Sequence, residues 1–280
     1  MKGFIARSCL DHLRNGVFEN DFYWLFDSHD KRYVAYCDFS SEPGAAWTLV
    51  VSWNRASKDL PHFKSKTFLQ DAPINHKTPN WNSYRQTLAR MKTLRSESKY
   101  WRATCSFDQM QQKIDYRDYL RGKFSDFDIM TYLGQGHCFP VDFVNIRGHA
   151  AGSGTTARFW QMQNAYMLTI DSSVTGCGFV ATAGAVPSED NFGYYGTINN
   201  KFRCTMADDS TTQWWFGGYL DELWTWLYID STRSYTNSSL IIWLYTHSET
   251  SDHCFGLVRF HGKLTLTLRN VKQHGILRIF

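Results

Sequence analysis

The segment from Pro187 to Thr197 places acidic and amide side chains next to a pair of tyrosines. The candidate site residues in it are Glu189, Asp190, Asn191, Tyr194 and Tyr195. Their oxygen atoms suit a hard cation or hydroxyl groups, and their rings offer flat apolar faces with a polar tip. The same residues are also compatible with a purely structural role. In that case the acidic turn is solvated, and the two tyrosine rings pack the loop with one ring buried and the other exposed.

Two further residues are candidates for the same site. His149 follows Gly148 in a glycine-rich stretch and is a candidate ligand contact. The same sequence is equally compatible with a histidine that only forms hydrogen bonds within a loop. Trp214 and Trp215 are adjacent, and we expect one to enter the core and Trp214 to face the loop.

The sequence lacks the motifs of common catalytic sites. It has no G-x-S-x-G, no H-E-x-x-H and no phosphate-binding loop. His137 and Cys138 are neighbours in sequence, whereas catalytic cysteine and histidine pairs meet in space. We therefore predict that the protein is not an enzyme.

Composition and charge indicate a folded protein that is rich in aromatic residues and close to neutral. Apolar residues make up 43% of the 280 residues and aromatic residues 16%, which favours a large core. The net charge is only +4, so we predict no nucleic-acid partner. The one basic stretch, Arg85 to Arg102, has the spacing of a solvated helix face.

Cysteine usage and hydropathy bear on the compartment. There are seven cysteines and no C-x-x-C pair, so a thiolate zinc site has no support. No apolar run approaches the roughly 20 residues that span a bilayer, so we predict no membrane insertion. Met1 to Arg7 lacks the apolar region of a signal peptide. Either a signal lies upstream of this chain, or the protein stays inside the cell.

Local patterns predict a strand-rich chain with one clear helix. The predicted strands are Phe22–Phe26, Tyr33–Cys37, Trp47–Trp53, Tyr100–Phe107, Phe139–Ile146 (starting near Pro140) and a buried central strand at Leu223–Ile229. A helix is predicted from Asn80, as its cap, to Leu94. From Gly148 to Gly218 periodicity fades, which predicts a long irregular and functional region.

Short motifs near the N-terminus carry a family resemblance. They are Ser8-Cys9-Leu10, Gly16, Tyr23-Trp24-Leu25, Val34-Ala35-Tyr36-Cys37-Asp38 and Trp47-Thr48-Leu49-Val50. In order and spacing they resemble the start of fibrinogen C-terminal-like domains. The sequence departs from that family at Gly44-Ala45-Ala46, where glycines are favoured, and at Phe39, where methionine is usual.

A second resemblance concerns the divergent branch of that family. Pro187 to Thr197 is similar to a stretch of the intelectins, and the branch includes fibrinogen-like proteins of marine invertebrates. The Asp-rich calcium loop of fibrinogen itself is missing. The resemblance implies a calcium ion that coordinates a sugar diol beside aromatic rings. Glu189, Asp190 and Asn191 would then be metal ligands, and Tyr194, Tyr195, Trp214 and His149 would contact the ligand.

The family resemblance also bears on the cysteines. It implies a bond between Cys9 and Cys37. A bond between Cys177 and Cys204 would close the loop from Pro187 to Thr197 at its base, and Cys105 with Cys138 could form the remaining pair. Pairing does not follow from sequence, and Cys254 is left over.

Together these inferences predict an α+β fibrinogen-related domain over residues 8–229. It would comprise a disulfide-closed subdomain at 8–53, a central mixed sheet and a long irregular binding-loop region. Residues 230–280 would be a loosely attached extension. The expected function is extracellular, lectin-like binding of carbohydrate, or of another surface ligand that bears acetyl or diol groups, with calcium as a candidate cofactor and a homo-oligomer as a possible assembly. The alternative is a structural matrix or adhesion protein without specific glycan binding.

Overall fold

A computed structural model of the chain describes residues 4–110, 112–114, 116–220, 226–228, 241–248 and 251–259. The chain divides into two compact units, Met1–Tyr219 and Leu220–Phe280. Strands predominate and the helices are few and short. None of the helices in the described ranges is long and apolar enough to cross a bilayer.

The elements are numbered in chain order. The strands are β1 (Asp21–Phe26), β2 (Arg32–Asp38), β3 (Ala45–Asn54), β4 (Ser83–Arg85), β5 (Tyr100–Cys105), β6 (Tyr119–Lys123), β7 (Gly134–Val141), β8 (Phe143–Ile146), β9 (His149–Ala151), β10 (Thr155–Met162), β11 (Tyr166–Asp171), β12 (Asp190–Asn191), β13 (Thr211–Tyr219), β14 (Trp226–Tyr228), β15 (Ile241–Ser248) and β16 (Ser251–Arg259). The helices are α1 (Cys9–Arg14), α2 (Pro61–Lys64) and α3 (Leu88–Ser96).

A nine-stranded sheet forms the body of the larger unit. Its order is β1-β2-β3-β13-β5-β6-β8-β9, with β4 also paired to β3. Each of these pairings is antiparallel, so the predicted mixed sheet is wrong. The predicted single strand over Phe139–Ile146 is in fact two, β7 and β8, which belong to different sheets.

The central strand β13 lies inside the region predicted to be irregular. It is buried along Thr211–Gly218 and pairs with β3 on one side and β5 on the other. A Cβ on Gly217 would lie 2.1 Å from the Ala46 carbonyl oxygen, so glycine permits this close approach. Its glycines and polar residues masked the strand pattern, because a strand buried on both faces need not alternate.

Both tryptophans of β13 are fully buried, which corrects the expectation that Trp214 faces a loop. The Trp214 ring packs against Phe68, with centroids 5.3 Å apart, and belongs to the larger hydrophobic cluster. Trp215 packs against Phe107 at 4.8 Å and belongs to the second cluster. The two rings therefore fill separate parts of the core.

The basic stretch from Arg85 to Arg102 is not one solvated helix. Helix α3 begins only after Thr87, whose hydroxyl accepts the Arg90 N–H at 3.3 Å. Asn80 instead accepts the backbone N–H of Ser83 at 2.9 Å and stabilises the turn before β4. Arg85 and Arg102, at the two ends, are completely buried.

The buried arginines hold different parts of the fold. Arg85 donates to four backbone carbonyls, those of His62, Lys66, Thr67 and Gln70, and burial lowers its pKa to about 10. It therefore fixes the connection that follows α2. Arg102, on β5, pairs instead with two buried carboxylates from the β2–β3 region.

Three disulfides form among the described residues of the larger unit. Cys9–Cys37 joins α1 to β2, as the family resemblance implied. The other two, Cys105–Cys204 and Cys138–Cys177, differ from the predicted pairs. The loop is thus attached through Cys204 to the end of β5, and Cys177 ties the segment after β11 to β7.

The smaller unit contains a three-stranded antiparallel sheet in the order β14-β15-β16. Trp226 lies opposite Tyr245, and Cys254 lies opposite Thr246. The described part of the predicted central strand Leu223–Ile229 is therefore an edge strand of this separate sheet. The rest of the predicted extension over 230–280 lies outside the described residues.

Candidate functional site

A four-stranded antiparallel sheet supports the candidate site. Its order is β12-β11-β10-β7. Strands β10 and β11 form a hairpin whose turn contains Asn164 at a φ of 60°, a conformation that asparagine tolerates. Trp160 lies opposite Thr169 in this hairpin, and Asp171 lies opposite Asp190 at the β11–β12 edge.

An open cleft of about 440 Å³ lies on this sheet. Its volume falls within the range of about 300–1,000 Å³ typical of small-molecule sites. The lining residues are Trp160, Tyr166, Thr169, Asp171, Ser188, Asp190, Tyr194, Gly196 and Thr197. The cleft therefore brings together three aromatic rings, two carboxylates and several hydroxyl groups.

Small residues shape the aromatic side of the cleft. Tyr166 and Tyr194 are in contact, with centroids 5.8 Å apart and planes tilted by 39°. A Cβ on Gly196 would lie 2.6 Å from the Tyr194 ring, so the glycine leaves room for that ring. Across the sheet, a Cβ on Gly136 would lie 2.9 Å from the Trp160 ring. The rings are thus fitted between backbone segments.

The Asp190 side chain holds the loop that carries Tyr194. Its Oδ2 accepts the backbone N–H groups of Gly196 and Thr197, both at 2.9 Å. Its own N–H donates to the Thr197 carbonyl at 2.8 Å, which closes the loop at its base. The Thr169 hydroxyl donates to the Asn191 carbonyl at 3.0 Å and so ties this loop to β11.

The cleft has an unusual electrostatic environment. Burial raises the pKa of Asp190 to about 6, against the lowering effect of its two backbone N–H donors. Asp171 and Glu189 raise it further. Burial and the charge of Asp190 also raise the pKa of Tyr166. The carboxyl of Asp190 is therefore harder to ionise than an ordinary aspartate.

Two of the predicted metal ligands are buried on the other side of the loop. The Glu189 carboxylate is fully buried, lies 3.1 Å from the Arg147 guanidinium and accepts the Asn199 amide at 2.9 Å. Asn191 is also fully buried, and its amide donates to the Ile170 carbonyl and the Ser172 hydroxyl. Both side chains stabilise the loop rather than face the cleft.

The three predicted ligands do not form a calcium site. Successive side chains of a strand point to opposite faces, so Asp190 lies in the cleft while Asn191 points away from it. Calcium requires six to eight oxygens around one point. The described ranges contain no group of three or more His, Cys, Asp or Glu side chains that could hold a metal ion. The residues present do not fit the implied ion.

The remaining predicted site residues separate in the same way. Tyr194 lines the cleft, but Tyr195 is 5% exposed and its hydroxyl bonds to Thr212 at 2.8 Å. The Trp214 indole donates to the Phe192 carbonyl at 2.8 Å from within the core. The His149 Nε2 lies 3.2 Å from the Ala183 carbonyl oxygen and the side chain does not line the cleft.

The sequence interpretation missed most of the cleft. Trp160, Tyr166 and Asp171 lie in the stretch from Gly148 to Gly218, whose fading periodicity predicts irregular structure and hides the strands that carry them. A usable signal was present, since Thr155–Met162 alternates with Ala157, Phe159 and Gln161 buried. That pattern, followed by an asparagine turn, is typical of a hairpin and places Trp160 on the outer face.

Comparison with known proteins gives no further assignment. Neither the protein-family models nor the curated proteins contain a match to this chain.

Proposed function

We propose that the protein binds carbohydrate outside the cell, in the cleft on the four-stranded sheet. The observation that carries this proposal is the combination of Trp160, Tyr166 and Tyr194 with Asp171 and Asp190 in one concave site. Flat rings suit the apolar C–H face of a sugar, and carboxylates accept hydrogen bonds from its hydroxyl groups.

The architecture around the cleft supports a binding role. Asp190 anchors the loop through backbone hydrogen bonds, and the buried Glu189–Arg147 ion pair stabilises the side of the loop that faces away from the cleft. Rings and carboxylates held in fixed positions lose little conformational freedom when a ligand binds. The N-terminal resemblance to fibrinogen-related domains agrees with a recognition function.

The disulfides support the extracellular part of the proposal. Three of them form among the described residues, and such bonds persist mainly in oxidising compartments. The expected absence of enzymatic activity remains a prediction.

A glycan array tests the proposal. The chain should bind a subset of glycans, and chelation with EDTA should leave the binding intact, because only Asp190 of the three predicted calcium ligands lines the cleft. Trp160→Ala should abolish binding to these glycans. Trp24→Ala is the matched control and should retain binding, since Trp24 is half exposed and lies outside the cleft.

Three results would contradict the proposal. A blank array with self-association of the protein would favour a structural matrix role. Binding that is lost with EDTA would show that a metal is required. Equal loss in both tryptophan variants would place the glycan elsewhere.

A further inference from the structure

The cleft has negative charge without a cation among its lining residues. Asp171 and Asp190 both line it, and none of the nine lining residues identified within the described ranges is Lys or Arg. Lys64 lies close enough to Tyr194 to interact with it electrostatically, but its ammonium donates to Asp59 at 3.0 Å. Arg147 pairs with Glu189 on the other side of the loop.

The two carboxylates are placed opposite each other by the sheet register. Asp171 and Asp190 are partners in the antiparallel β11–β12 ladder, and opposed side chains in such a ladder have Cβ atoms about 4.5–5.5 Å apart. Like charges in this arrangement repel, and a cation placed between them would relieve the repulsion.

Each carboxylate has one oxygen engaged and one left for a ligand. The Oδ2 of Asp190 accepts two backbone N–H groups, and the Oδ1 of Asp171 accepts the N–H and hydroxyl of Ser173 at 3.0 and 2.6 Å. Within the described part of the chain, the second oxygen of each has no hydrogen-bond donor. The engaged oxygens fix both groups in position.

The rings beside the carboxylates also favour a positive ligand. Trp160, Tyr166 and Tyr194 line the same cleft, and the face of an aromatic ring attracts a cation within about 6 Å of its centre. An organic ammonium uses both features, since it donates directional hydrogen bonds to the carboxylates and packs its carbon skeleton against rings.

We propose that the cleft selects an amino sugar, with its ammonium group at Asp171 and Asp190 and its sugar ring against Trp160, Tyr166 and Tyr194. This inference rests on the proposed function and names the ligand class of that site. It predicts that N-acetylation of the amine, which removes the charge, weakens binding. It also predicts that sugars with a carboxylate are repelled.

Three tetrasaccharides with one backbone test the ligand class. β-1,4-linked tetramers of glucose, N-acetylglucosamine and glucosamine differ only at C2, where they carry a hydroxyl, an acetamide or an ammonium group. Isothermal titration calorimetry near neutral pH should show the glucosamine tetramer binding at least about tenfold more tightly than the other two. This factor corresponds to about 1.4 kcal/mol.

Two matched variants attribute the preference to the cleft. Asp171→Asn should abolish the tenfold preference, so that the glucosamine tetramer binds no more tightly than the glucose tetramer. Asp126→Asn makes the same charge change at an exposed position outside the cleft and should leave the preference intact. The thermal unfolding midpoints of both variants establish that they are folded, and Asp190→Asn is the alternative if Asp171→Asn does not fold.

The outcomes separate this inference from the proposed function. Equal affinities, or a preference for the acetamide, overturn the ammonium assignment and leave carbohydrate binding intact. Equal loss in Asp171→Asn and Asp126→Asn also overturns it, because the effect would then be that of net charge. If no tetramer binds, the assignment falls, and the glycan array decides whether carbohydrate binding falls with it.

Discussion

Asp171 and Asp190 face each other across the β11–β12 ladder, so two carboxylates occupy one end of an aromatic cleft. Opposed like charges disfavour the folded state. The arrangement persists because Asp190 also receives two backbone N–H groups that close the loop carrying Tyr194. The Asp190 carboxylate thus fixes the loop of the site and, at the same time, is repelled by Asp171.

The first prediction concerns the pH dependence of stability. The folded-state pKa of Asp190, about 6, lies above its ordinary value of 3.8. Between these values the folded chain binds a proton that the unfolded chain releases, so the free energy of unfolding falls as pH rises through this window. After allowance for partial solvent exposure, we expect Asp190 to contribute a loss of about 1–2 kcal/mol between pH 4 and 7.

Comparison with Asp190→Asn isolates this contribution. Urea unfolding of both proteins, followed by tryptophan fluorescence, should show a stability difference that shifts in favour of the variant as pH rises from 4 to 7. The groups that act on Asp190 are Asp171, Glu189 and the N–H groups of Gly196 and Thr197. A stability difference that stays constant with pH would contradict the raised pKa.

The second prediction contrasts two adjacent tyrosines. Tyr195 is buried and its hydroxyl bonds to Thr212, so Tyr195→Ala should reduce the free energy of unfolding by about 3–5 kcal/mol. Tyr194 is half-buried and lines the cleft, so Tyr194→Ala should cost about 1 kcal/mol and abolish glycan binding. Chemical denaturation and the glycan array measure the two effects. Comparable stability losses would refute this division of roles.

Local sequence patterns predicted the N-terminal part of the fold well. The expected strands at Phe22–Phe26, Tyr33–Cys37 and Trp47–Trp53 match β1, β2 and β3, with bounds that differ by a few residues. Each is short, rich in aromatic and β-branched residues and bounded by turn residues, so local preference and tertiary structure agree.

The site was harder to predict because its residues depend on pairing between distant segments. Glu189, Asp190 and Asn191 are adjacent in sequence, yet the strand alternation puts only Asp190 in the cleft. Asp171 belongs to the site only because the β11–β12 register places it opposite Asp190, and local sequence does not reveal that register. The cysteine pairing likewise depends on which strands are neighbours, and spacing along the chain does not contain that information.

The third prediction concerns the buried charge network around Arg102. Its guanidinium is fully buried, bonds to Glu42 at 2.8 Å and pairs with Asp38. Although burial raises the pKa of Glu42, Arg102 and Arg121 bring it below its ordinary value. Arg102→Met would leave both carboxylates buried without this partner and should reduce the free energy of unfolding by about 3–5 kcal/mol.

A surface pair provides the control for that experiment. Lys58 and Asp59 are 2.7 Å apart, but the Asp59 side chain is 63% exposed, so Lys58→Met should change stability by less than about 1 kcal/mol. Urea unfolding at neutral pH measures both variants. Similar effects in the two would mean that the Arg102 network does not act as a buried one.

The last prediction concerns the order in which the disulfides are reduced. Cys138 is exposed, whereas the residues of the Cys9–Cys37 and Cys105–Cys204 bonds are almost completely buried. Thiol exchange requires access to a sulfur atom, so a mild reductant should open Cys138–Cys177 first. Alkylation followed by mass spectrometry should label Cys138 and Cys177 before the other four. Labelling of Cys9 or Cys105 at the same rate, or a non-reduced peptide that joins Cys177 to Cys204, would contradict the arrangement by which the loop is attached to both sheets.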